Sequence, residues 1–150
     1  MPGKVPEYEW GPLTYEAGVA IAGGQLVIPY ASDTTKVGPA GDGAINVLGV
    51  ATKDAVPVGT NQNQAASGVL PGSFNLSPIS QYIAVACYGH FRLLNTTNIA
   101  RGKAVVAAAA GKVRAYVSGT DTPDMIIGKS TDHVDKLAND TKGVLIKLNI

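Results

Sequence analysis

Cys87, His90 and His133 are the residues of this 150-residue chain best suited to nucleophilic or metal chemistry, since it holds one cysteine and two histidines. A nucleophilic site needs a thiol or hydroxyl beside a base, with a third group to orient the base. Cys87 and His90 stand three residues apart in "YIAVACYGH". On a strand-turn segment that spacing gives the two side chains awkward, divergent directions. A cysteine in so apolar a run behaves as a small buried hydrophobe. No G-x-S-x-G elbow accompanies any serine. A zinc site takes three or four N or S ligands, which two distant histidines and one cysteine do not supply. Asp132, Asp135 and Asp140 near His133 could ligate a hard cation, but the solvated surface of a short helix or turn explains them better. "GPAGDG" (38–43) is rich in glycine but lacks the strand-to-helix context of a phosphate loop; it is a turn. We therefore expect no enzyme, no cofactor and no metal.

Composition narrows the partners. Charged residues make up 15% of the chain and the formal net charge is +1. Basic residues are scattered, with no stripe and no aromatic–basic alternation, so neither nucleic acid nor an acidic membrane surface is an expected partner. The longest apolar run, "AGVAIAGGQLVIPYA", is interrupted and too short to span a bilayer. "MPGKVPEYEWGP" has no apolar core, so a soluble protein made in the cytoplasm is expected. A lone cysteine cannot form an internal disulfide.

The elements that must carry whatever this chain does are strands. Segments 25–30, 82–88, 91–94, 103–109, 112–117 and 143–150 are short, rich in Val, Ile, Leu and Ala, and mostly bounded by turn formers. In the last, Val144, Ile146, Leu148 and Ile150 alternate with Leu145, Lys147 and Asn149, the period of a half-buried strand. Hairpin turns are expected at Ala31–Thr35 and near Ala109–Lys112, where Gly111 and the surrounding valines outweigh the helix propensity of the alanine run. The only helix expected is one or two turns within Asp132–Asn139. The fold class is all-β.

The chain also repeats itself. Ile21, Gly24, Val27, Lys36, Val37, Val47, Leu48 and Gly49 correspond to Ile99, Gly102, Val105, Lys112, Val113, Ile126, Ile127 and Gly128. Each half supplies a hairpin, a loop and a strand ending in "VLG" or "IIG". Two similar three-strand halves, each with an exposed apolar face, are expected to pack together as a small β-barrel or β-sandwich.

Two parts are not repeated. From Ala55 to Phe91 there is no Asp, Glu, Lys or Arg, and about 59–80 has the composition of a long loop. Residues 1–16 form a Pro-rich arm carrying Tyr8, Trp10 and Tyr15; residues 17–150 form a single domain. Interface cores are poor in charge and rich in aromatics. Tyr8, Trp10 and Tyr15 on the arm, with Leu70 and Phe74 in the loop, are the candidate interface residues.

The segments "IAGGQLV" (21–27), "VLGVATKDA" (47–55), "GHFRLLNTTNIARGKAVV" (89–106), "IIGKS" (126–130) and the terminal strand together resemble the small head decoration, or capsid cement, proteins of tailed bacteriophages. The resemblance implies a compact β-barrel with an extended N-terminal arm. It also implies a virion protein, made in the host cytoplasm, that binds the major capsid protein on the outside of the expanded shell, commonly as a homotrimer, and braces the shell against packaged DNA. It carries over no catalytic residue, and the 59–80 loop is longer than the family's short connection.

Two rivals stand beside this expectation. Another phage structural β-module, from a tail, neck or spike, needs the same adhesive surfaces. A carbohydrate-binding β-sandwich would need exposed aromatic platforms beside polar groups. Tyr82, Tyr88 and Phe91 lie where such polar partners are lacking.

Overall fold

The computed structural model describes residues 12–57 and 80–149. It is all-β. The first half contributes β1 (Leu13–Ala17), β2 (Leu26–Tyr30), β3 (Asp33–Pro39), β4 (Gly49–Ala51) and β5 (Tyr82–Ala86). The second contributes β6 (Tyr88–Leu93), β7 (Ala104–Ala108), β8 (Lys112–Ala115), β9 (Ile126–Ser130) and β10 (Val144–Asn149). The first five strands close into a barrel in the order β1-β3-β2-β4-β5, and the second five form a sheet in the order β6-β10-β9-β7-β8.

These two orders are one topology. Replacing each strand of the first half by its counterpart in the second reproduces every neighbour but one. In the barrel β1 runs parallel to β3 through Glu16↔Lys36 and Ala17↔Val37. In the second half that seam shrinks to one parallel bridge, Asn95↔Val113, just beyond the end of β6. The bonds outside the strands repeat as well. Ile21 bridges Ala55 as Ile99 bridges Lys136. The Gly23 N–H donates to Asp54 Oδ1 at 2.7 Å, and the Arg101 N–H to Asp135 Oδ1 at 2.9 Å. Thr52 gives its N–H and hydroxyl to the Ala84 carbonyl, as Thr131 does to that of Leu145. Repetition at this level of detail establishes a duplicated unit of five strands, two more per half than the repeated residues alone suggested.

The glycines that end "VLG" and "IIG" show why the repeat keeps them. A Cβ at Gly49 would lie 2.5 Å from the Ala86 carbonyl oxygen, and one at Gly128 would collide with that of Lys147. Both glycines let β4 or β9 press against the strand that pairs beside it, where a side chain has no room. Gly49 begins β4 rather than ending a strand.

Alternation sorts the side chains. Ala17, Val27, Val37, Ala51, Ile83 and Val85 fill the first barrel with Ile21 and Ala55. Their neighbours Leu26 and Val50 point outward and join Leu93, Ile99, Val105, Val113, Val144, Ile146 and Leu148 in the larger core. The part of the first half's outer face around β2 and β4 is therefore buried against the second. Pro29 would ordinarily be excluded from a strand with neighbours on both sides. The pairing of β2 with β4 stops at Val27, so Pro29 has a neighbouring strand, β3, on one side only.

Two sequence expectations need correction. Residues 13–16 are not arm but barrel wall: Leu13, Thr14, Tyr15 and Glu16 pair with Val85, Ala84, Ile83 and Tyr82. The helix expected within Asp132–Asn139 does not form, because its backbone bonds across to the 95–101 segment instead. Ile99 and Lys136 exchange both N–H···O bonds, the Asn139 N–H donates to Asn95, and the Ala138 N–H donates to the Asn98 side chain. Among the described residues the helical turns are short 3-10 turns at Ala109–Gly111 and Pro123–Met125. Among the described residues no helix is long and apolar enough to cross a membrane.

Candidate interaction surface

Tyr8, Trp10, Leu70 and Phe74 lie outside the described residues. Tyr15 is half-buried and packs against the core of the first barrel; it is part of the wall, not a free anchor. The chain meets the two non-repeated segments at opposite ends of the β1–β5 pair. Leu13 stands opposite Val85, at the end of β5 that leads into the second half. The 58–79 segment leaves and re-enters at the other end, where the Val56 N–H donates to Ser80 and the Ala17 N–H to Gln81. Its counterpart in the second half is the shorter β9–β10 connection, 131–143.

That shorter connection is fastened by polar groups where the first half has alanines. Asn95 and Lys136 take the places of Ala17 and Ala55. Asn95 is buried and its Nδ2 donates to the carbonyls of Thr97 at 2.8 Å and Leu137 at 2.6 Å. Asp132 is also buried, not on a solvated surface as its setting in the sequence suggested. It accepts the Leu145 N–H at 3.1 Å and faces Arg92 at 3.3 Å and Lys136 at 3.8 Å. Burial pushes the Asp132 carboxyl up, but the Leu145 N–H, the charges of Lys136 and Arg92 and the His133 N–H together hold it below the usual carboxylate range. Asp135 accepts the Arg101 N–H, and Asp140 accepts the Lys142 N–H and pairs with Lys136. Each carboxylate near His133 thus has a structural partner. Among the described residues no cluster of three His, Cys, Asp or Glu could hold a metal ion.

Cys87 is half-buried in the single-residue crossover between β5 and β6. His90 is on the exposed face of β6, directly opposite Lys147.

This face was not legible as a surface. On β10, Val144, Ile146 and Leu148 point into the core, so Lys147 points out; Lys129 does so from β9. The register sets Lys147 opposite both His90 and Lys129, making a row of two lysines and a histidine across three strands. A groove of about 530 Å³ lies along it, lined by Tyr88, Ile126, Lys129, Thr131 and Lys147 among others. Tyr88 is 65% exposed at its rim. The alternation in "GVLIKLNI" predicts that Lys147 faces outward, but scattered lysines become a row only once strand order is known.

No protein-family model matches the chain, and no curated protein matches it in sequence. Among solved structures, the crystal structure of the N base of head fiber gp8.5 in bacteriophage phi29 is similar to it. The similarity covers 91% of this chain and 92% of that one, at a TM-score of 0.57 and 14% sequence identity. At that identity the likeness is one of fold.

Proposed function

We propose that this chain is a structural protein of a bacteriophage virion that binds the outer surface of the capsid and stabilises the shell. The observation that carries this reading is the shared fold: nearly the whole of both this chain and a phage head fiber base is covered by the likeness. The sequence resemblance to head decoration proteins points the same way. The partners on this reading are the major capsid protein and neighbouring copies, in a homotrimer. No cofactor, nucleic acid or membrane takes part. The work is mechanical. A closed barrel and a five-stranded sheet fused through one core give a stiff body, and linking several copies multiplies modest contacts through effective concentration.

Purified protein incubated with expanded, undecorated phage heads tests this directly. Saturable co-sedimentation, with shells that hold their DNA to a higher temperature, is expected. Protein left in the supernatant at saturating heads contradicts it.

A second reading follows from the same likeness. The phi29 protein is a head fiber base, so a fiber-base, spike, neck or tail role would use the same fold. Binding to purified tails or necks in preference to heads would select that reading.

A further inference from the structure

We propose that the outer face of the C-terminal sheet, the row His90–Lys147–Lys129 with the groove beside Tyr88, is a docking surface for a carboxylate-rich surface of another protein. Lysines directly opposite one another on adjacent strands repel, and opposite charges are what such positions favour. Here Lys147 has a lysine on one side and a histidine on the other. Among the described residues Lys36, Arg92, Arg114 and Lys136 have carboxylates within 4.0 Å, while Lys129 and Lys147, like Lys53, Arg101, Lys103, Lys112 and Lys142, have none. What sets Lys129 and Lys147 apart is that they stand directly opposite each other with no carboxylate between them. The missing counter-charge is expected to come from a partner.

The internal repeat shows what this face is for. The counterpart of the Lys129↔Lys147 pair in the first half is Val50↔Ala86. Val50 and the adjacent Leu26 are buried in the core that joins the halves. The unit therefore already uses this face to dock once, inside the chain. In the second half lysines replace the apolar residues, so another apolar barrel face would strand unpaired ammonium groups. Carboxylates would pair with them. Two lysines and a histidine with one flanking tyrosine offer neither the length of charge nor the stacking platforms of a nucleic-acid groove.

This deepens the capsid reading by naming the chemistry of the partner surface, and it rests on that reading only for which protein supplies it. The test has two arms. In the first, the full chain is titrated with poly-L-glutamate at low salt. Binding is expected, weakened about tenfold or more by K129E/K147E and by about 0.5 M salt, but retained by the control K53E/K142E, which carries the same change in charge. Absence of binding by the parent chain, equal loss in the control, or tighter binding to single-stranded DNA than to poly-L-glutamate would overturn it. In the second arm the same variants are offered to expanded heads. If heads are bound, K129E/K147E must lose binding selectively; retention overturns the proposal. If the parent chain binds poly-L-glutamate through these lysines but ignores heads, the docking surface stands and the capsid reading fails.

Discussion

Arg114 on β8 holds Asp121 through two hydrogen bonds of 2.7 Å, and its Nε donates at 2.7 Å to Asp42 in the first half. The Asp121 side chain is 2% exposed, the Arg114 side chain 16% and that of Asp42 62%. One guanidinium thus closes a loop of the second half and pins a loop of the first to it, in the bidentate geometry that Arg alone provides. Replacing Arg114 with Ala leaves a buried carboxylate without its cation. We expect a fall of about 5 °C or more in the thermal midpoint, with R114K recovering only part of it.

The same pair sets the response to acid. The hydrogen bonds from Arg114, followed by the Val117 N–H, lower the Asp121 carboxyl from 3.8 to about 2. Because the folded value lies below the unfolded one, the unfolded chain takes up the proton first. The contribution to stability is complete above about pH 4 and drains away as pH falls towards about 2. Asp132 is shifted in the same direction. Thermal unfolding followed from neutral pH down should show this loss. D121N should be less stable at neutral pH but show a shallower acid limb; an unchanged limb would contradict the assignment.

Gly49 and Gly128 are equivalent in the repeat and should fail alike. Adding a methyl at either meets a carbonyl oxygen of the neighbouring strand, and Gly49 also sits at φ 152°. G49A and G128A should each cost about 2 kcal/mol or more in chemical denaturation. Gly41 has nothing within 4 Å of the corresponding position, so G41A should be near neutral.

Asn95 occupies the place of Ala17 in the first barrel and ties the β9–β10 connection to the end of β6. N95A removes the donors to the Thr97 and Leu137 carbonyls and should destabilise by about 1–3 kcal/mol. Hydrogen exchange should rise first at Lys136, Ala138 and Asn139, whose N–H groups bond to the 95–99 segment.

How the N-terminal segment divides can be tested by truncation. Removing residues 1–11 leaves every described strand whole, and cooperative unfolding should persist. Removing residues 1–16 takes away most of β1, which closes the barrel between β3 and β5. That truncation should abolish cooperative unfolding. On the capsid reading, the shorter truncation is also expected to lose attachment to heads while remaining folded.

Much of this architecture was legible because hairpin chemistry and alternation are local. The strands 26–30, 104–108 and 144–149 follow from their apolar pattern, and the second hairpin turns at Ala109–Gly111 as expected, while the first turns over Ala31–Ser32 with Asp33–Thr35 already in β3. The repeat was visible because apolar positions and close-packed glycines must recur when a unit is copied. Three things were not legible, each for the same reason. β1 carries Thr14, Tyr15 and Glu16, an undistinguished segment that becomes a strand only because β3 and β5 offer free edges on both sides. The 132–139 segment has helix-forming residues, but the 95–101 segment satisfies its backbone first. The row of His90, Lys147 and Lys129 spans residues far apart in the chain and exists only through register. Non-local pairing decided all three, and single-segment patterns do not encode it.

The central claim is that this fold serves on the outside of a phage head. An image reconstruction of expanded heads saturated with the purified protein tests it most directly. The account predicts density for the barrel and its companion sheet on the exterior of the shell, repeated over the capsid lattice, with the Lys129–Lys147 face turned towards an acidic patch of the capsid protein. Bare shells, or density confined to a tail, neck or interior position, would contradict it.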